Sequence, residues 1–199
     1  MQYRELRCLS CSIKCEILPL EKYRSSQCLN GKICIWPETN FMFQNGITSI
    51  INSMDIISSV AGFIFVDFSW GNIHAFLNDR WIEYLAQTKM TIILVSDQKM
   101  APLAAYYDWN DRHVSGCIYV SDGISSLTTS MRKLFFGQAI LRTKNKKALT
   151  SKEKEVFLLT LNNYQVADIS KRMLTDAKAI YNLRQRIEYK LGMKIRRYL

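Results

Sequence analysis

The stretch Asp176-Ala-Lys-Ala-Ile180-Tyr-Asn-Leu-Arg-Gln185-Arg-Ile-Glu-Tyr-Lys190-Leu-Gly192 sorts its side chains by angle. A helix advances about 100° per residue, which gathers Ile180, Leu183, Ile187 and Leu191 into one narrow apolar stripe. Lys178, Asn182, Gln185, Arg186 and Tyr189 fall on the opposite side, flanked by Tyr181, with Glu188 as the one acid nearby. Cations that seek phosphates and amides that pair bidentately with an adenine edge are what a helix carries into the major groove of DNA. Asp176 predicts the N-cap and Gly192 the stop, so the helix is expected over 177–191.

Thr150 stands three residues before Glu153 at the head of an apolar-periodic run, the pattern of a capping box. Val156, Leu158 and Leu159 supply the inward stripe of that helix. Asn162-Asn163 ends it, because asparagine tolerates the left-handed conformation of a C-cap. A short second helix, Val166 to Met173, places Ile169 and Met173 on one face. Three helices joined by short turns over residues 150–191 have the spacing of a helix-turn-helix.

The charge distribution agrees. Residues 142–199 carry 15 Lys and Arg against 5 Asp and Glu, whereas residues 1–141 carry 12 of each, so the basic segment accounts for the whole net charge of +10. A neutral domain joined to a cationic module fits a polyanion, and nucleic acid is the commonest one. The basic segment lacks the wide aromatic-rich apolar face of an interfacial helix, which argues against a membrane surface.

In combination, Leu149-Thr-Ser-Lys-Glu-Lys-Glu-Val156, Val166-Ala-Asp-Ile169, Lys178-Ala-Ile180 and Ile187-Glu-Tyr-Lys-Leu-Gly192 resemble the LuxR/FixJ (GerE-type) DNA-binding domain. Position by position, the resemblance implies that Tyr181, Asn182 and Gln185 face base edges while Lys178, Arg184, Arg186, Lys190 and Lys194 approach phosphates. Asn163 stands where that family usually has glycine, Gln165 where a serine N-cap is common, and Leu183 where a histidine is common. Ile195, Tyr198 and Leu199 supply only a stub of the family's fourth helix, which often forms its dimer contact.

From Lys32 to Leu141 short apolar runs alternate with amphipathic stretches, as in a parallel sheet covered by helices. The strands are predicted at Ile33 to Trp36, Gly62 to Phe68, Thr91 to Val95 and Gly116 to Val120, each nearly all apolar, as burial on both faces requires. Helices are predicted at Asn45 to Ser58, Ile73 to Ala86, Ala101 to Tyr107 and Gly123 to Gly137. The fold class is therefore α/β, a shortened receiver-like parallel sheet with helices followed by an all-α helix-turn-helix domain. Its parts are an N-terminal extension over 1–31, a pseudo-receiver over 32–141, a linker over 142–148 and the DNA-binding domain over 149–199.

Ile33-Cys-Ile-Trp-Pro37-Glu38 and Phe65-Val-Asp67 resemble the first and acceptor strands of a response-regulator receiver. Phosphoryl transfer to aspartate needs an acidic pair on Mg²⁺, a cation and a hydroxyl. Pro37 stands in place of one acid and Val120 in place of the lysine, leaving a vestigial site of Glu38, Asp67 and Ser96, so ordinary phosphorylation of Asp67 is not expected. The span from Gly46 to Asp67 is too short for the usual intervening strand and helix, so four strands are expected. The run Ala104-Ala-Tyr-Tyr-Asp-Trp-Asn110 and Gly116-Cys-Ile-Tyr119 resemble enterobacterial regulators of fimbriae and capsule, the common pilus and mucoid-phenotype regulators among them. That resemblance implies control of a surface structure and pairing with a second regulator of the LuxR type, for which Tyr106, Tyr107 and Trp109 would suit an interface.

With 48% hydrophobic and 22% charged residues the chain is core-forming, and no apolar run reaches the roughly 18 residues that span a bilayer. A soluble, cytoplasmic protein is expected. Cys8, Cys11, Cys15 and Cys28 approach tetrathiolate spacing, yet the reading adopted is reduced thiols, with no metal and no cofactor. His74 and His113 lack neighbours at catalytic spacing, so no enzyme is expected. The expected function is a sequence-specific transcription regulator on double-stranded DNA, as a homodimer or with a related LuxR-type regulator. The alternative is a co-regulator that binds such a protein without tight DNA binding of its own.

Overall fold

The computed structural model describes residues 6–10, 15–18, 33–54, 62–140 and 147–195. Four parallel strands form the central sheet: β3 (Ile33–Trp36), β4 (Phe63–Phe68), β5 (Thr91–Ser96) and β6 (Val114–Tyr119), hydrogen-bonded in sequence order. Ile33 pairs with Phe63 and Phe63 with Thr91, while a register shift between Ile92 and Ile93 sets Gly116 opposite Ile93. Every residue of β4 is buried, because helices cover both sides. On one face α1 (Phe41–Asn52) and α4 (Ile124–Phe135) pack through Ile47, Leu127, Met131 and Leu134 against Phe63, Phe65, Ile93 and Val95. On the other lie a 3-10 turn, Trp70–Phe76, then α2 (Arg80–Ala86) and α3 (Ala101–Asn110). The fold class read from the pattern, including the count of four strands, holds.

Three local readings change. The helix predicted from Asn45 starts earlier, at Phe41, because Asn40 caps it by accepting the Phe43 amide at 3.1 Å. The single helix predicted over 73–86 divides in two. Asn78 accepts the Arg80 amide at 3.0 Å and starts a new turn there, while Asn72 is drawn toward Asp67 at 2.8 Å. The last strand begins at Val114 and ends at Tyr119, and Val120 opens a short 3-10 turn.

The N-terminal segment adds a two-stranded antiparallel hairpin, β1 (Leu6–Arg7) and β2 (Glu16–Leu18), placed beside β3 by an antiparallel bridge between Cys8 and Cys34. Leu6, Cys8 and Ile17 are buried there. Strands of two and three residues are too short for alternation to register, which is why the sequence reads only as an extension. The hairpin covers an otherwise open sheet edge. Residues 11–14 and 19–32, with Cys11 and Cys28, lie outside the described residues, as do residues 142–146 of the segment expected to be a linker.

An aromatic cluster anchors the α2–α3 side. Trp81, wholly buried, stacks on Trp36 at 5.9 Å and meets Phe76 and Tyr107 edge-on at 5.3 and 5.4 Å. The same core runs on through Leu149, Val156 and Phe157 into the C-terminal helices. Those are α5 (Ser151–Leu161), α6 (Val166–Arg172) and α7 (Ala177–Leu191). Trp70 meets the Phe157 ring at 6.4 Å, the Leu149 amide donates to the Pro102 carbonyl at 3.0 Å, and Asn162 donates to the Leu77 carbonyl at 3.2 Å. Lys154 pairs with Asp79 at 2.5 Å and lies 5.2 Å from the centre of the Tyr106 ring. The α2–α3 side of the sheet and the C-terminal helices thus share one apolar core.

The three-helix bundle is tied by Glu153. Its carboxylate accepts the Thr150 amide at 2.8 Å, while Thr150 Oγ1 accepts the Glu153 amide at 3.3 Å, completing the expected capping box. Lys190 Nζ donates to the same carboxylate at 2.6 Å and to the Ala148 carbonyl at 2.8 Å. Burial works to raise the Glu153 carboxyl pKa, and the Lys190 and Thr150 hydrogen bonds outweigh it, holding the group below its ordinary 4.5.

Two outcomes are expected. Trp81→Ala should lower stability by about 3 to 5 kcal/mol, read from urea unfolding, because a large ring leaves a cavity its neighbours cannot fill. A depressed carboxyl pKa stabilises above the unfolded value and loses that contribution as pH falls through the folded one. Wild-type stability should therefore drop from about pH 4.5 downward, by circular dichroism, with a shallower acid limb in Glu153→Gln.

Candidate nucleic-acid interface

The α7 helix packs across α5 and α6. Ile180 and Ile187 are wholly buried and Leu191 nearly so, while Leu183 packs half-buried against the same core. Asp176 Oδ1 accepts the Ala179 amide at 2.6 Å as N-cap, and Gly192 ends the helix at φ 67°. That left-handed conformation suits glycine, which has no Cβ to clash. At the end of α5 Asn163 takes φ 65°, as expected of asparagine standing in for glycine. Gln165 precedes α6 without a side-chain cap bond.

Once the apolar stripe is buried, the opposite stripe faces water. Lys178, Tyr181, Asn182, Gln185, Arg186, Tyr189 and Lys194 are exposed, and Arg184 is half-buried. Asn182, Gln185, Arg186, Tyr189 and Lys190 line a shallow concavity on this surface. Tyr189 is 84% exposed and Tyr181 56%, large rings with no core to join. Glu188 points elsewhere, accepting the Ile195 amide at 3.0 Å, so the acid on this helix is spent on the C-terminal turn. Contact with the sheet layer is made through α5, Leu149 and part of α7, which touches α3, while Asn182, Gln185 and Arg186 of α7 remain exposed.

Lys190 departs from the sequence reading. The resemblance assigns it to a phosphate, whereas its ammonium is held by Glu153 and Ala148 and joins the end of α7 to the start of α5. Periodicity could not show this, because the angle of Lys190 on α7 says nothing of the carboxylate that the first helix brings to it. Lys171 and Arg172 join the candidate residues only in the structure. Both are exposed at the end of α6, beside the turn that leads into α7. Their signal was a basic pair in the last turn of the scaffold helix, where the helix dipole favours cations. Leu174 in that turn is 93% exposed at φ 50°.

The receiver-like site is occupied by amides. Asp67, 2% exposed at the end of β4, has its Oδ2 accepting from Asn40 Nδ2 and from Asn72 Nδ2, each at 2.8 Å. Ser96, wholly buried, donates from Oγ to the Asp97 carbonyl at 3.0 Å. Glu38 lies exposed in the turn after β3. Asp97 accepts the Trp70 and Met100 amides at 2.8 and 2.7 Å and so organises two turns. Among the described residues no three His, Cys, Asp or Glu side chains gather as a metal site. Of the three aromatics named for an interface, Tyr107 is core, its hydroxyl donating to Asp79 at 2.7 Å. Tyr106 lies beneath Lys154, and Trp109 is 54% exposed. No described helix is long and apolar enough to cross a membrane.

Comparison with known proteins places this architecture. The chain is 36% identical over 194 residues to the uncharacterized protein YqeH of Escherichia coli (strain K12), covering 98% of this chain and 92% of that one. It is 19% identical over 167 residues to the Vi polysaccharide biosynthesis protein TviA of Salmonella typhi, covering 82% and 92%. Among solved structures it is similar to the RcsB response regulator of Salmonella typhimurium, with 17% identity, a TM-score of 0.39, and 84% and 95% of the two chains covered. The family model of the EcpR N-terminal domain matches residues 7–135, a span that begins within β1 and takes in the whole parallel sheet and all four of its helices. The chain belongs to the EcpR N-terminal domain family, with a three-helix bundle following that domain.

Proposed function

We propose that this chain is a sequence-specific transcription regulator that reads double-stranded DNA through α7 and controls a surface structure such as capsule or fimbriae. The observation that carries the reading is the sorting of α7, with Ile180, Ile187 and Leu191 inward and Asn182, Gln185, Arg186 and Lys178 outward on an unobstructed face. In the proposal Tyr181, Asn182 and Gln185 meet base edges, and amides in this position pair with adenine through two hydrogen bonds. Lys178, Arg184, Arg186, Lys194 and the exposed pair Lys171 and Arg172 meet phosphates, which fix register without reading sequence. Lys190 acts from within the bundle.

The surface-structure target is supported by the relative named for polysaccharide biosynthesis. Independence from ordinary phosphorylation is supported by the surroundings of Asp67. Its carboxylate is engaged by two neutral amides, with Pro37 and Val120 where an acid and a cation would be needed. The proposed unit on DNA is a pair, formed with a second copy or with a related regulator, and Trp109 is an exposed aromatic of the kind interfaces use.

Binding of the full chain to genomic fragments selected for retention, followed by fluorescence anisotropy, tests the reading. Asn182→Ala should cost about 1 to 3 kcal/mol on the selected duplex and little on random DNA. Equal losses on both would overturn base readout by Asn182. Lys178→Ala should weaken both duplexes alike and reduce the salt slope by about one. By contrast, Lys190→Ala should lower the thermal midpoint and leave the salt slope unchanged, because its ammonium is committed to Glu153.

A further inference from the structure

Three thiols line up across the hairpin and the sheet edge. Cys8 follows β1, and its amide donates to the Cys15 carbonyl at 2.8 Å, which sets Cys15 beside it on the β2 side. On the other side Cys8 and Cys34 form an antiparallel bridge. The neighbouring amide of Leu9 donates to the Ile33 carbonyl at 2.7 Å, which makes Cys8 and Cys34 a non-hydrogen-bonded cross-strand pair. Such pairs bring Cα atoms to about 4.5 Å and their side chains closest together, inside the separation of roughly 4.4 to 6.8 Å that a disulfide spans. Cys8 is 4% exposed and Cys34 wholly buried, both within the apolar cluster that the hairpin covers.

We propose that Cys8 and Cys34 are a dithiol oxidation site, in which a small peroxide converts the pair to a cross-strand disulfide that fastens the hairpin to the sheet edge. The Cys8 sulfur attacks one peroxide oxygen, the O–O bond breaks, and a sulfenic acid forms as hydroxide leaves. The Cys34 sulfur then attacks the Cys8 sulfur, and the S–O bond breaks. Water departs with the Cys34 proton, while the hydroxide takes up the proton that Cys8 had released. Two thiols lose two electrons and hydrogen peroxide becomes two waters. A peroxide, unlike a bulky disulfide, is small enough to reach a sulfur with so little exposed surface.

The roles follow from the surroundings. The Cys34 hydrogen bond, opposed by burial and aided by Ser10, holds the Cys8 thiol down to about 5, so its thiolate is the attacking group. Cys8 Sγ lies 3.5 Å from Ser10 Oγ, whose oxygen also accepts the Ile33 amide at 2.9 Å and ties this turn to β3. Cys117 serves as an internal reference, for burial pushes its thiol far up. The thiol row uses none of the residues assigned to DNA, so the site stands or falls apart from the regulator reading.

Treatment of the reduced full-length chain with hydrogen peroxide, alkylation and peptide mapping tests the proposal. The expected product has lost two hydrogens and yields a peptide linking Cys8 to Cys34. Before the link forms, dimedone should label Cys8 at least roughly tenfold faster than Cys117. In Cys34→Ser the Cys8 sulfenic acid should accumulate, because its resolving partner is gone. A link from Cys8 to Cys11, Cys15 or Cys28 instead, or a Cys8 no more reactive than Cys117, would overturn the assignment. Both of those outcomes are read on the wild-type chain.

Discussion

Burial of one stripe of α7 governs what the C-terminal half of this protein can offer a partner. Ile180 and Ile187 are removed from water by α5 and α6, and each buried branched side chain of this size contributes roughly 1.5 to 3 kcal/mol. The rotation of the helix about its axis is set by that burial. Asn182, Gln185 and Arg186 are then presented to solvent. Glu153 complements the apolar packing at one point. It caps α5 and receives Lys190 from α7, so a single buried carboxylate links the start of the first helix to the end of the third.

The bundle is continuous with the domain that precedes it. Phe157 reaches toward Trp70, Leu149 is bonded to Pro102, and the aromatic cluster around Trp81 leads into the same core. Asp79 joins the two layers, accepting from Tyr107 of α3 and from Lys154 of α5. Helix α7 also touches α3, yet Asn182, Gln185 and Arg186 on its polar face stay exposed while the bundle is docked. At the carboxyl ends of the strands the acids serve the fold. Asp67 and Asp97 accept amide hydrogens there and hold the turns that follow β4 and β5.

Periodicity made the secondary structure readable wherever a segment was long enough to show it. The α7 boundaries, the capping box at Thr150, the left-handed Asn163 and the four strands all follow from side-chain patterns within a few residues of one another. Where elements are short, local polar contacts outweigh pattern. The break between Phe76 and Arg80 depends on Asn72 and Asn78 finding oxygen and nitrogen partners, and an apolar count does not register that. The hairpin strands are shorter still, and they are held by pairing with each other and with β3 rather than by any preference of their own.

The sequence by itself determined that a cationic three-helix module follows a four-stranded α/β domain, which face of its last helix is polar, and which residues lie on that face. Those properties are local, since helix geometry and charge counting need no knowledge of distant residues. Only the tertiary structure decided that Lys190 turns inward to Glu153, that Tyr107 is core while Trp109 is not, that Asp67 is held by two asparagine amides, and that Cys8 lies against Cys34. The Lys190–Glu153, Asn40–Asp67 and Cys8–Cys34 contacts join residues 37, 27 and 26 positions apart, and the fate of Tyr107 depends on which helix face a neighbouring layer covers. Chain folding alone sets such distances, and no period of 2 or 3.6 residues encodes them.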